Sequence, residues 1–345
     1  MEEYYIGFDG GYTRIKLKLA KCAQLFTMPT ASAPVNDIGE YTLTGNGNGL
    51  ITVIRPDGTR YDRLVGEAAI GSAYTYESKA AQWVLGDEYM ALFLAAMCQA
   101  IEDKDVVIHT LVTGLPASDR EGLSRSLSVR LRGRHVCVVG HQERIVTVEN
   151  VIVPTQPYCA LADLALNDKG QSRRNEFATG SVIVCDVGGR TAHVQPAIGM
   201  DTRNLTGYAR DFGLLPAMEK IMAEIRRAYN LSPSIAEVSA WLAAGEFPVR
   251  REKVKVARFA APHLYPLIGV IAGLLDQITD SDRYSQVALV GGGALALSSI
   301  VDADGKAELH KRIATRFVWP TVPADPVGCV ARGAAKIAAY HAARG

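Results

Sequence analysis

The sequence predicts an α/β protein built as two similar domains facing each other across a cleft. Three observations carry that expectation. Strand-like and helix-like segments alternate along the whole chain, the pattern of a sheet covered by helices. A short pattern occurs twice, at IGFDGGYTRIKL and at VIVCDVGGRTAHV: an apolar strand ending in aspartate, then glycines and a hydroxyl residue, then a second strand. A third segment, VALVGGGALAL, runs an apolar strand into Gly291, Gly292, Gly293 and Ala294. The length of 345 residues suits two domains at about 100–200 residues each.

Taken in order, EYYIGFD and TRIKLKLA read as short strands around a glycine-rich turn. Residues 41–65 hold Asn-Gly and Asp-Gly pairs, which signal hairpins. Residues 88–102 are helical by composition and length. VVIHTLVTGLP is a strand ending at Gly-Leu-Pro, and 119–131 is a helix with basic residues on its exposed side. ERIVTVENVIVP gives more strand signal, and 157–166 a short helix. The polar stretch 167–180 precedes the second strand–turn–strand, SVIVCDVGGRTAHVQPAI. Helices follow at 212–229 and 233–244, then the strand and glycine triplet of SQVALVGGGALALSSI. Asp325 as N-cap and Pro326 at the first helical position start a terminal helix.

Composition excludes several classes. Apolar residues make up 48% and charged residues 21%, ordinary globular values that argue against large-scale disorder. The net charge of +1 provides no global field for nucleic acid or an anionic membrane. No run of about 18 apolar residues predicts a membrane span. The N-terminal MEEYYIGFDGG is acidic and reads as a strand, not a leader, so the expected location is cytoplasmic. Six scattered cysteines without a CxxC pair predict buried free thiols instead of disulfides or a zinc site. Two basic runs, RSLSVRLRGR at 125–134 and RREKVKVAR at 250–258, read as solvated faces, with a protein contact as the alternative. Neither has the interleaved aromatics of a direct single-strand binder.

The duplicated hairpin carries the chemistry. A tight glycine turn between strands gathers backbone N–H groups into a concavity that suits phosphate oxygens, and glycine is needed where a Cβ would block the approach. An aspartate at the strand end can hold Mg²⁺ through water. Two such turns imply a nucleotide's phosphates clamped between two domains. Strand alternation alone leaves Arg14, Lys16 and Lys18 open as the phosphate-facing cation.

This constellation resembles the actin-like ATPase superfamily. IGFDGGYTRIKL looks like its first phosphate motif, VIVCDVGGRTAHV like the second, and VALVGGGALAL like the adenosine motif. VIVPTQPYCALADLAL and DPVGCVARGAAKIAAY look like the two connecting helices at the hinge. DGGYTRIKL, RLVGEAA, VTGLPAS and the total length resemble the ParM/StbA-type plasmid-segregation homologues. The resemblance implies an actin-like, ribonuclease H-like duplicated fold with two domains around a nucleotide cleft. Domain I would comprise 1–154 plus 320–345, with a small inserted subdomain at about 31–75; domain II would span 155–319. Asp9 and Asp186 would organise Mg²⁺. Gly10, Gly11, Tyr12 and Thr13, and in the second motif Gly188, Gly189, Arg190 and Thr191, would hold the phosphates. Lys16 would be the phosphate lysine. Gln156 would orient the attacking water, with Asp186 helping to polarise it. Gly291, Gly292, Gly293 and Ala294 would lie against the adenosine, and Gly213 on the ribose side, with Glu219 or Lys220 touching the adenosine. His193 stands where ParM-like proteins usually carry Asp and conventional actins carry His; it would relay a proton or be a buried strand histidine.

The implied function is an ATP-hydrolysing filament protein with ATP/ADP and Mg²⁺ as cofactors. It would self-associate head to tail and move plasmid DNA through a DNA-bound adaptor, without membrane association. A small-molecule kinase on the same fold, with Asp119 near VTGLPASD as its nearest base, is the alternative. A non-polymerising, chaperone-like ATPase is a further one.

Overall fold

The computed structural model describes residues 3–35, 49–70, 81–298 and 320–344. Alternation in the N-terminal segment produces β1 (Glu3–Gly10) and β2 (Arg14–Leu19), an antiparallel pair in which Asp9 faces Lys16. Then come β3 (Leu25–Pro29), β4 (Ser32–Pro34), β5 (Leu50–Ile54) and β6 (Arg60–Val65). Asp57-Gly58 turns β5 into β6, Gly58 holding φ +83°; the Asn-Gly pair at 46–47 lies outside the described residues. Helix α1 (Asp87–Ala100) buries residues all round because it lies inside the domain core. It leads into β7 (Asp105–Thr113), α2 (Ala117–Leu131), β8 (Gly133–Val139) and β9 (Gln142–Ile152). Among the described residues these strands form one nine-stranded sheet in the order β3-β2-β1-β7-β9-β8-β5-β6-β4. The pairings of β1 with β7 and of β7 with β9 are parallel. The described strands of the segment expected as an inserted subdomain continue this sheet through β5 on β8; residues 36–48 and 71–75 lie outside the described residues.

The chain continues through α3 (Gln156–Ala165) and the single turn α4 (Glu176–Thr179) into the second hairpin, β10 (Ser181–Val187) and β11 (Ala192–Ile198). Next come β12 (Tyr208–Arg210), α5 (Leu215–Tyr229), α6 (Ile235–Ala244), the β13 (Glu246–Val249) and β14 (Glu252–Lys255) pair, and α7 (Ala257–Leu275). β15 (Gln286–Val290) and α8 (Gly291–Ser298) complete this half. The second sheet runs β12-β11-β10-β15 with β10 and β15 parallel. Helix α7 is long and apolar enough, by length and composition, to cross a membrane. Here it buries Phe259, Leu264, Leu267, Ile268, Ile271, Leu274 and Leu275 in the second core and keeps Pro262 and Pro266 on its exposed side.

The terminal helix α9 (Cys329–Ala342) packs on β1 and α3. Glycine permits this closeness: a Cβ on Gly333 would lie 1.6 Å from the Cys159 carbonyl oxygen, and one on Gly7 2.1 Å from that of Ala331. Asp163 of α3 is buried here, taking Lys336 Nζ at 2.6 Å and Arg332 Nε at 2.9 Å. The helix start expected at Asp325 and Pro326 lies three residues too early. Gly328 is the N-cap, and Asp325 instead accepts from the Gly328 N–H and pairs with Arg332. Five cysteines are buried and Cys22 is exposed.

Candidate functional site

The first turn is built from β1 and β2. Gly11 has no room for a Cβ, which would sit 2.8 Å from the Arg14 carbonyl oxygen, and Thr30 Oγ1 donates to the Gly11 carbonyl at 2.6 Å. Asp9 is 3% exposed and its Oδ2 takes Lys16 Nζ at 2.7 Å. Of the neighbouring cations, Arg14 donates to Thr27 Oγ1 at 3.1 Å and also lines the cavity, while Lys18 donates to the Cys22 carbonyl. Gln156 opens α3, which is capped by the Thr155 hydroxyl. Its Nε2 lies 3.5 Å from Asp9 Oδ1.

The second turn is held from behind. Gly188 N–H donates to the Thr191 carbonyl at 2.9 Å, while Leu214 and Leu215 N–H groups donate to the carbonyls of Gly188 and Gly189 at 3.0 and 2.8 Å. Gly213 lies against this turn, where a Cβ would meet the Gly189 oxygen at 2.5 Å. Asp186 is 5% exposed. Burial, with the Asp9 charge added and Lys16 opposing, pushes its carboxyl up to about 7. His193, fully buried, is pushed down to about 4 by burial, with Asp211 opposing and Arg190 adding to the depression. Its Nε2 lies 2.7 Å from Thr191 Oγ1, and its Nδ1 has no hydrogen-bond partner among the described residues.

Both turns open onto one cavity of ≈ 870 Å³. The first hairpin contributes Asp9, Gly11, Tyr12, Thr13, Arg14 and Lys16, and the second Asp186, Gly188, Gly189 and Thr191. Gln156, Gly291, Gly292 and Glu219 join the wall. Other expected residues stand behind it. Gly10 backs onto Tyr89, Gly293 onto Val187, and Ala294 lies in the core. Gly213 shapes the second turn. His193 touches the cavity only through Thr191. Arg190 directs its side chain to Tyr12 and Asp211. Lys220 does not line the cavity. Sequence reading missed the far wall, where Met218, Met222, Ile235 and Leu242 supply apolar surface and Ser232, Ser234 and Ser239 hydroxyls. The Ser-x-x-Glu capping box of Ser234 and Glu237, present in α6, was the legible signal for that helix start.

The donor set fits Mg²⁺, which keeps several waters and takes one or two carboxylates plus phosphate oxygens. Two buried carboxylates share the cavity wall while Lys16 neutralises only Asp9 directly. Apolar surface at one end and glycine turns with charges at the other match a ligand with a flat ring and an anionic tail.

Residues 7–158 match the family of actin-like proteins, N-terminal domain. No curated protein sequence matches the chain. Among solved structures, actin-like protein Alp7A superposes with a TM-score of 0.77 at 16% identity, covering 99% of this chain and 98% of that one. The archaeal actin homolog Ta0583 superposes with a TM-score of 0.73 at 17% identity, covering 100% of both chains. ParM from Bacillus thuringiensis with ATP gives 0.69 at 14% identity, covering 100% of both. A 15-stranded ParM filament from Clostridium botulinum gives 0.69 at 14%, covering 98% of this chain and 99% of that one. The chain therefore has an actin-like fold.

Proposed function

We propose that this protein is an ATP-dependent, filament-forming actin homologue of the ParM kind, working in the cytoplasm and moving or segregating plasmid DNA through an adaptor. The observation that carries this reading is the pair of strand–Asp–glycine turns, one from each sheet, opening onto a single cavity. A nucleotide whose phosphates touch both turns ties the two halves together. Loss of the γ-phosphate loosens that tie and biases the cleft open. Head-to-tail contacts that do not close generate a filament, and the ATP-bound and filamentous ParM structures share this fold.

In this reading Lys16 offers a point charge to the phosphates. Asp9 and Asp186 would hold Mg²⁺, which when bound would supply charge neutralisation for the phosphates. Gln156, beside Asp9, orients the attacking water; the chemistry is positioning plus charge neutralisation. Thr191 links the cavity to His193, which takes the role of proton relay. The kinase alternative draws no support from Asp119, which bonds Ser118 in α2 and does not line the cavity.

Light scattering of purified protein with Mg·ATP tests the reading, with electron microscopy of the same sample. Scattering should rise above a critical concentration and filaments should appear, less stable with ADP. Scattering that stays flat at every concentration with ATP and with GTP would sink the filament reading.

A further inference from the structure

Arg190 sits in the second turn, yet its guanidinium turns away from the cavity and reaches the first turn. Nη1 donates to the Tyr12 hydroxyl at 2.7 Å, and the group stands 5.4 Å from the centre of the Tyr12 ring. Nη2 donates to Asp211 Oδ2 at 3.0 Å, which fixes the planar fork from its other side. Tyr12 is a rigid post. Its ring packs on Trp83 at 5.6 Å, and Trp83 meets the fully buried Tyr89 edge-on at 4.9 Å. Below the bond the two turns already touch, since a Cβ on Gly189 would lie 2.9 Å from Thr13 Cγ2. Among the described residues the two halves meet at the α3–α9 crossing around Asp163, at the contact of α2 with β12, and at the lip where Arg190 meets Tyr12.

The geometry points to Tyr12 and Arg190 as a latch across the cleft that limits its opening and so sets the rate of nucleotide release. This inference rests on the nucleotide reading of the cavity. Motion about the α3–α9 crossing that separates the turns must break the Arg190–Tyr12 bond, whereas the phosphates are held by the turns themselves. Both latch residues are positioning residues: they act on how fast the cleft opens. Their loss accelerates release more than it slows association.

The test is stopped-flow displacement of a fluorescent ADP analogue at protein concentrations below the polymerisation threshold. Tyr12→Phe keeps the ring on Trp83 and removes only the hydroxyl; Arg190→Lys keeps the charge and removes the fork. Each should speed release by about three- to tenfold, the range of one ordinary net hydrogen bond, the charge assistance being weakened by partial exposure. Association should change by less than about twofold. The double variant should be no faster than the faster single one, because both remove the same bond. Arg203→Ala, which breaks the exposed Arg203–Asp201 pair, should release at the wild-type rate. Wild-type release rates in Tyr12→Phe and Arg190→Lys, or effects that multiply in the double variant, overturn the latch alone. A wild-type protein that binds no nucleotide overturns the nucleotide reading and the latch with it.

Discussion

The two hairpins share a backbone plan and differ in charge. In each, the strand-end aspartate pairs across the ladder with a residue of the returning strand: Asp9 with Lys16, and Asp186 with His193. Both aspartates are buried. Lys16 answers Asp9 directly at 2.7 Å. His193, neutral because burial lowers its basicity, turns its Nε2 to Thr191. Among the described residues Asp186 has no direct countercharge, and burial, with the Asp9 charge added, pushes its carboxyl up to about 7. The difference teaches that the fold duplicates the frame while the cross-strand partner decides whether the buried aspartate has an ion-pair partner. One turn arrives neutralised, and the other is ready for a cation brought by the ligand.

The largest effects should come from the two charged groups that make the turns unequal. Lys16→Ala should weaken Mg·ATP binding by about a hundredfold, in line with about 2–3 kcal/mol for a charged hydrogen bond; calorimetric titration measures it. Wild-type affinity in that variant would mean that Lys16 serves only Asp9. Asp186→Asn should cut phosphate release by about a hundredfold or more. It should also raise the stability of the nucleotide-free protein in chelator. The sign follows from the raised folded value: the native state prefers the neutral acid, so wild-type stability falls as pH rises from the ordinary carboxylate range through about 7. The variant's advantage in melting temperature should therefore be absent near pH 4 and largest above pH 7.

Smaller effects sharpen the comparison. Gln156→Ala should leave ATP affinity within about twofold while slowing phosphate release about tenfold, since the amide would act on the attacking water and not on the bound ground state. Its filaments should persist longer in a sedimentation time course. His193→Gln should slow phosphate release by only about threefold, because a relay through Thr191 adds to the turn's chemistry without holding the ligand. It should also lessen acid sensitivity. The native imidazole is lowered to about 4, so wild-type stability is lost as pH falls through the ordinary histidine range towards 4. Denaturant midpoints at pH 7 and pH 5 would reveal this.

The hairpins were legible because a strand, a forced turn and a strand are local events. What lay hidden was tertiary or masked by composition. Helix α7 escaped because Pro262, His263 and Pro266 interrupt its apolar run, although the prolines sit on its exposed side. The helix expected at 119–131 ends at Leu131 as α2 does, but β8, beginning at Gly133 inside the basic run, was not read. The run 250–258 holds the short hairpin strand β14, with Lys253 and Lys255 paired to Glu246. In the site, Asp9 stood out from the duplicated motif, whereas strand alternation left Arg14, Lys16 and Lys18 open and only the resemblance selected Lys16. That Arg190 would serve Tyr12 instead of the cavity depends on how the halves meet, and no spacing within one strand encodes it.

The central claim is that both turns grip one nucleotide. A crystal structure of the protein with Mg²⁺ and a non-hydrolysable ATP analogue tests it most directly. The account predicts one analogue in the cavity, with phosphate oxygens in hydrogen-bond reach of backbone N–H groups in residues 10–13 and in residues 188–191. The base should lie against Met218, Met222 and Leu242. Phosphates that contact one turn only, or a nucleotide bound outside this cavity, would contradict it.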